Sequence, residues 1–144
     1  MRHIIDGSNL LGALGLARES EISKRELVQR LASFSRAARC KVDCVFDGQR
    51  PDGFATHLGG LSIRFAHPRS GDDVIGELVA TTAPAVVVTN DRALGARVKS
   101  RKVSVESCAE FRAKLDRTGA AEGDARTDGT DWESYFSDAK NRNV

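Results

Sequence analysis

Short apolar runs that end in polar residues recur along the chain. HIID (residues 3–6) and VDCVFD (42–47) each have the pattern of a strand that ends at an aspartate. AVVVTND (85–91) is the most hydrophobic run, and its three valines are typical of a central parallel strand. LSIRFA (61–66) alternates apolar and polar positions, as in a half-exposed or edge strand. With VSVES (103–107), these runs predict five strands.

Segments of helical periodicity lie between these runs. One of them places Ile22, Leu27, Leu31 and Phe34 near helical spacing, with Lys and Arg on the opposite face. Another, GDDVIGELVATTA, predicts a helix that begins at Asp72 or Asp73 and is closed by Pro84. A basic helix, DRALGARVKSRK, and a last helix, CAEFRAKLD, follow. Alternating strands and helices of this length predict an α/β fold with a mostly parallel sheet covered on both faces.

The composition is that of a water-soluble globular protein. The 144 residues suffice for one domain, with 40% hydrophobic and 29% charged residues and a net charge of +2. No apolar run approaches the roughly 18 to 20 residues of a membrane span, and Asp6 interrupts the first apolar run before it reaches the length of a signal peptide. We therefore expect a cytoplasmic protein with no membrane partner.

The C-terminal part of the chain differs from the rest. Residues 117–130, RTGAAEGDARTDGT, are small and polar and predict a flexible linker after a domain of residues 1–116. Residues 131–144 predict a helical tail, since Thr130 and Glu133 have capping-box spacing. Its aromatic face is formed by Trp132, Tyr135 and Phe136. That face either packs on its own domain or tethers a partner.

Acidic residues fall where the predicted strands end or the predicted helices begin. They are Asp6, Asp47, Asp72, Asp73 and Asp91. Ligands of open parallel sheets bind outside the carboxyl ends of the strands, so we expect these side chains to converge on one edge. Each acid alone is a plausible helix N-cap, and Asp47 is also suited to start the turn DGQRPDG.

Crowded carboxylates repel one another unless a cation lies among them. Oxygen ligands without histidine or thiolate suit Mg²⁺ or Mn²⁺ rather than zinc. The chain has an odd number of cysteines, Cys40, Cys44 and Cys108, and none of them has a histidine at a spacing that zinc would use. We interpret them as reduced, buried thiols, with metal binding by Cys40 and Cys44 as the alternative. One or two such ions activate water and stabilise the oxygens of a phosphodiester under attack. The acids therefore predict phosphoryl chemistry, without an organic cofactor.

The motifs IIDGSNLLG, VFDG, SGDDVIGEL and VVVTNDRALG, in this order and spacing, resemble the YacP-like branch of the NYN domain, within the PIN-like nuclease superfamily. The resemblance covers residues 1 to 116. It implies a three-layer α/β/α sandwich around a mostly parallel sheet. It also implies a metal-dependent endoribonuclease that cleaves RNA, with action on mRNA or at the ribosome. It also implies catalytic roles for Asp6, Asn9, Asp72, Asp73 and Asp91.

Metal ligation is implied for Asp6, Asp72 and Asp91, with Asp47 and Asp73 as further candidates. The mid-chain glutamate of many PIN nucleases has no counterpart here, which leaves the number of metal ions open. YacP-like proteins also often extend further at the C-terminus.

Other polar residues near the predicted edge are candidates for holding RNA. Asn9 can orient a water or a phosphate oxygen through its amide, or act only in the local helix start. Gly7 and Ser8 offer backbone amides at a helix N-terminus, where phosphate is favoured. Basic candidates for the RNA backbone are Arg50, Arg64, Arg69 and Arg92. His57 and His67 are candidates for a general base, and Arg97, Lys99, Arg101 and Lys102 make the late helix basic.

Three functional hypotheses follow. The first is a divalent-metal-dependent endoribonuclease. The second is a non-catalytic module that binds RNA or the ribosome and uses the acids only as helix caps. The third, a phosphatase, is disfavoured because DGSN lacks the second aspartate that an aspartyl-phosphate enzyme uses two residues on.

Overall fold

In a computed structural model, the chain is described over residues 2–125, with side chains described through residue 118. This part of the chain contains six strands and five helices. They are β1 (Arg2–Asp6), α1 (Gly7–Ala13), α2 (Glu21–Ala38), β2 (Val42–Phe46), β3 (His57–Leu58), β4 (Leu61–Phe65), α3 (Gly71–Thr82), β5 (Ala85–Val88), α4 (Arg92–Val98), β6 (Val103–Glu106) and α5 (Cys108–Ala125).

One sheet runs through the centre of the domain, with the strand order β3-β4-β2-β1-β5-β6. All neighbouring strands are parallel except the short β3, which pairs antiparallel with β4. The valine-rich β5 has parallel neighbours on both sides, as the sequence predicted. The predicted α/β class with a mostly parallel sheet is thereby confirmed.

Successive residues of each strand contact opposite faces of the sheet, which produces two separate cores. On β1, Ile5 packs in the core that α1, α2 and α5 cover, whereas Ile4 packs in the core that α3 and α4 cover. Both side chains are completely buried. The same alternation continues on β5, where Val88 and Val87 belong to the first and the second core. The result is the three-layer α/β/α sandwich.

Several sequence predictions need correction. Ile22 is 79% exposed rather than part of the buried face of α2, because that face starts only at Leu27. Helix α3 begins at Gly71 with Ser70 as its cap, slightly before the predicted Asp72. Strand β3 was not predicted, since two exposed residues carry no periodicity. Helix α5 continues to Ala125, so residues 117–125 of the predicted linker are helical.

The division into domain, linker and tail otherwise stays a prediction. Residues 126–144, with Trp132, Tyr135 and Phe136, lie outside the described residues. Among the helices that the structure describes, none combines the length and the apolar character needed to span a membrane.

Gly7 is the residue on which the close packing of α1 against β2 depends. A Cβ atom at Gly7 would lie 2.7 Å from the ring of Phe46 and 2.9 Å from the Sγ of Cys44, both completely buried. Helix α1 therefore approaches the sheet more closely than any other residue type at position 7 allows.

We expect Gly7→Ala to destabilise the fold by about 1–3 kcal/mol, because the buried neighbours have no room to move. The control is Gly12→Ala in the same helix, where the added Cβ would meet only the flexible guanidinium of Arg18, 2.6 Å away. That variant should lie within about 1 kcal/mol of the wild type. Urea denaturation measures both, and equal unfolding free energies for the two variants would contradict the packing argument.

Candidate active site

The starts of three helices meet at one edge of the sheet. Parallel strands end at the same edge, so α1 after β1, α3 after β4 and α4 after β5 all begin there. Asp6 caps α1 by accepting a hydrogen bond from the N–H of Asn9 at 3.4 Å, and Asp91 caps α4 by accepting from the N–H of Leu94 at 3.1 Å. Helix N-termini favour negative charge, which explains the local preference for acids here.

The start of α3 has acidic residues from two segments. Ser70 caps the helix by accepting from the N–H of Asp73 at 3.1 Å. Asp47, directly after β2, accepts from the N–H of Gly71 at 2.9 Å, and its own N–H donates to the Oγ of Ser8 at 3.1 Å. Asp47 thus connects β2, α1 and α3 through hydrogen bonds, in addition to preceding the turn.

Asp6 is the acid whose environment opposes its charge most. Burial raises its pKa from 3.8 to about 6, and the negative charges of Asp72 and Asp47 add to this rise. Hydrogen bonds from the Thr89 hydroxyl and the Asn9 N–H act in the opposite direction. Near neutral pH the carboxylate is therefore charged at a cost in free energy of folding.

Asp72 belongs to the same group of charges. Partial burial raises its pKa, and the charges of Asp91 and Asp47 raise it further. Together with the effects of Asp72 and Asp47 on Asp6, these interactions place Asp72 within electrostatic reach of Asp6, Asp47 and Asp91. The convergence expected from the sequence is thus present for these acids.

Asp73 is directed elsewhere. Its carboxylate accepts from the guanidinium of Arg97 on α4 at 3.1 Å, and this bond lowers its pKa. Half of its side chain is exposed. Asp73 therefore connects α3 to α4 beside the other four acids. Because its charge is paired with Arg97, it repels the other acids less than an unpaired carboxylate would.

Thr89, for which the sequence predicted no role, joins two of the acids. Its hydroxyl donates to Oδ2 of Asp6 at 2.9 Å and accepts from the N–H of Asp91 at 3.0 Å. The side chain is buried, with only 3% exposed. The TND sequence after β5 was the available signal, because a buried hydroxyl at the end of a parallel strand needs a polar partner at that edge.

Asn9 connects α1 to the loop after β5. Its Oδ1 accepts from the N–H of Asn90 at 2.7 Å and from the Sγ of Cys108 at 3.2 Å. Asn90 in turn accepts from the N–H of Cys108 at 2.9 Å. Because the Asn9 oxygen is engaged by these donors, the amide NH₂ group is the part of the side chain that is suited to donate to another group.

The basic candidates have different surroundings. Arg50 donates to the carbonyl of Phe54 at 2.7 Å and so shapes its own loop, while Arg69 pairs with Glu77 at 2.7 Å. Arg92, the first residue of α4, is exposed next to Asp91, and Arg64 is exposed on β4. His57 and His67 are both exposed, and His57 contacts Thr56 at 3.2 Å.

The donor atoms at this edge suit a hard divalent cation. They are carboxylate oxygens, and burial raises the pKa of the neighbouring Cys108 thiol to about 11, so it stays protonated and is a poor metal ligand. Within the described residues, however, no three acidic, histidine or cysteine side chains already form a group that could hold a metal ion. The carboxylates converge, but helix caps and the Thr89 hydroxyl engage part of their oxygens.

Comparisons with known proteins agree with this architecture. A family model described as the YacP-like NYN domain matches residues 3–141. The crystal structure of Rae1 (YacP) from Bacillus subtilis superposes with a TM-score of 0.75 at 17% identity, covering 88% of this chain and 80% of that chain. A tryptophan-to-leucine mutant of the same protein gives a TM-score of 0.69 at 18% identity, covering 83% and 77%. No curated protein sequence matches the chain.

We expect the charge of Asp6 to reduce stability as the pH rises. Its folded-state pKa of about 6 exceeds the ordinary value of 3.8, so its favourable contribution is present below pH 3.8 and is lost as the pH rises through about 6. Asp6→Asn keeps a capping oxygen but has no charge. Between about pH 4.5 and about pH 7.5, the variant should gain about 2 kcal/mol of unfolding free energy relative to wild type, measured by denaturation without divalent metal. A constant difference across this range would contradict the raised pKa.

We expect Thr89→Val to raise the pKa of Asp6 above its wild-type value, because the hydroxyl that stabilises the carboxylate is lost. The N–H of Asp91 also loses its acceptor, at a cost of about 1–3 kcal/mol. Thr89→Ser keeps the hydroxyl and should keep the pKa near 6. Carboxyl NMR titration of the variants measures this, and an unchanged Asp6 pKa in the valine variant would rule out the bridging role.

Proposed function

The chain belongs to the YacP-like NYN domain family, a nuclease-type family, and on this premise we propose that it is a divalent-metal-dependent endoribonuclease that hydrolyses phosphodiester bonds in RNA. The observation that carries the proposal is the position of Asp6, Asp47, Asp72 and Asp91 at one sheet edge, where Asp72 repels Asp6 and is itself repelled by Asp47 and Asp91. Repulsion between carboxylates lowers the stability of the fold, whereas a cation bound among them attracts each carboxylate and offsets the repulsion. Action on mRNA or at the ribosome, in the cytoplasm, is the extension that the family resemblance supports.

Asp6, Asp72 and Asp91 are the proposed ligands of Mg²⁺ or Mn²⁺. Asp72 contributes no helix cap, because Ser70 and Asp47 serve the start of α3. Asp6 and Asp91 each cap a helix through Oδ1, and Thr89 also donates to Oδ2 of Asp6. Asp47 is a further ligand candidate on the same side. One or two bound ions would supply the activation of water and the stabilisation of the phosphate oxygens.

The remaining residues of the site hold the substrate. The amide NH₂ group of Asn9, whose oxygen is held by the N–H of Asn90, donates to a phosphate oxygen or to the attacking water. The Ser8 hydroxyl and the N-terminus of α1 offer further donors. Arg92, at the first turn of α4, neutralises the RNA backbone next to Asp91, and Arg50 and Arg69 lie in the loops that lead to the edge. Asp73 supports the site by holding Arg97 in place.

Replacement of the proposed ligands tests this function. Asp72→Asn should lower Mn²⁺-dependent cleavage of single-stranded RNA by on the order of 100-fold or more, because a ligand is lost while every helix cap remains. Asp6→Asn and Asp91→Asn should give losses of the same order with folded protein. The matched control is Asp52→Asn, which removes one exposed charge in the loop after β2. Undiminished activity in all three site variants would refute the site.

The alternative of a non-catalytic RNA- or ribosome-binding module is separated from the enzyme by Mn²⁺ calorimetry on the wild type and on Asp72→Asn. An enzyme should bind the ion, with weaker binding in the variant. A module that uses its acids only as caps should show no binding in either protein.

A further inference from the structure

A concave surface separate from the candidate active site lies between α3 and α4, and Asp73 lies where the two meet. It is a groove of about 820 Å³, and we call it the α3–α4 groove. Arg69 and Asp73 lie at its end near the acidic edge, and Ala83 and Lys102 lie at its far end. Because α3 has 12 residues at about 1.5 Å each, the groove extends about 18 Å from the candidate active site.

The charge of this groove is positive. Five of its lining residues are cationic, namely Arg69, Arg97, Lys99, Arg101 and Lys102. Its two carboxylates are already paired, Asp73 with Arg97 at 3.1 Å and Glu77 with Arg69 at 2.7 Å. Within the described part of the chain, Lys99, Arg101 and Lys102 make no ion pair. These three charges therefore remain available to an anionic partner.

The backbone holds the three unpaired cations in a defined turn. Ser100 and Val103 exchange two backbone hydrogen bonds of 3.1 and 3.3 Å, and the N–H of Lys102 donates to the Ser100 Oγ at 3.3 Å. The carbonyl of Lys102 accepts from the N–H of Ala85 at 3.0 Å, which fastens the turn to the sheet. The cations thus project from an ordered segment, and only their flexible side chains have to adapt on binding.

The uncharged lining consists of small or aliphatic residues, such as Val79, Ala80 and Val98, and contains no aromatic side chain. Bases of single-stranded nucleic acids bind mainly by stacking on aromatic rings, whereas phosphates bind to Lys and Arg without regard to sequence. The groove is therefore suited to a phosphate backbone rather than to bases.

We propose that the α3–α4 groove binds the phosphate backbone of the single-stranded RNA whose neighbouring segment lies at the acidic edge. This inference rests on the proposed function, because that function places the neighbouring segment of the RNA at the acidic edge. It also rests on the continuity of the groove with the candidate active site at Asp73. The Arg97–Asp73 pair stands between the two surfaces. The groove holds RNA independently of its sequence and leaves selection among sequences to other parts of the site.

The test removes the unpaired charges. A triple variant with Lys99→Gln, Arg101→Gln and Lys102→Gln should bind a single-stranded RNA oligonucleotide at least tenfold more weakly, measured by fluorescence anisotropy in EDTA to prevent cleavage. The slope of log affinity against log salt should decrease by about 2, from about 0.7 for each of three lost phosphate contacts. Oligonucleotides of different sequence should lose affinity equally. Thermal unfolding of the triple variant should match that of the wild type, because exposed substitutions of this kind change stability little.

The matched control removes three charges from another basic pocket. This pocket of about 410 Å³ is lined by Arg36, Arg39 and Lys41 at the end of α2 and the start of β2. Its triple glutamine variant should keep wild-type RNA affinity. Equal losses in both triple variants, or no loss in the groove variant, would overturn the proposal. Displacement of RNA by an acidic peptide of the same charge at the same concentration would assign the groove to an acidic protein instead.

A parallel cleavage assay of the wild type with Mn²⁺ separates the two proposals. RNA binding that depends on the groove, without any cleavage, would refute the nuclease function and leave the groove assignment intact. Cleavage with RNA binding that is insensitive to the groove variant would do the reverse.

Discussion

The parallel pairing of β1 with β2 and β5 is the constraint on which the candidate site depends. Parallel strands end at the same edge, so the helix starts after β1 and β5 lie there beside Asp47, which follows β2, and residues far apart in the chain become neighbours. Asp6 and Asp91 are 85 positions apart, yet the Thr89 hydroxyl bonds to the carboxylate of one and the N–H of the other. Without this pairing the acids would be separate helix caps with no common chemistry.

The negative charges at this edge both stabilise and destabilise the fold. Helix N-termini stabilise one carboxylate each, but several carboxylates together repel one another, and burial opposes the charge of Asp6 in particular. Hydrogen bonds from the Thr89 hydroxyl and from the N–H of Asn9 stabilise the charged form of Asp6. The charge of Asp73 is paired with Arg97. What remains uncompensated is the repulsion among the acids that lie close to Asp72, and the proposal of a bound cation rests on this repulsion.

The sequence indicated where the acids lie along the strands and helices, but it did not indicate their hydrogen-bond partners. Asp6, Asp72 and Asp91 were placed at strand ends or helix starts because capping and periodicity are local properties. Thr89 was missed because a threonine after a strand is common, and only the tertiary contact with Asp6 distinguishes it. Ile22 was misplaced because periodicity at the start of a helix does not say where packing begins.

The sequence by itself determined the alternation of strands and helices, the fold class and the positions of acids along each element, because these follow from the hydrophobic period and from helix capping within a few residues. Only the tertiary structure decided which charges face one another. It directed Asp73 to Arg97, and it joined the basic residues after α4 to α3 in one groove. The physical reason is that charge interactions act through space over several ångströms, and the distance between two side chains depends on strand order and on helix packing that no local pattern encodes.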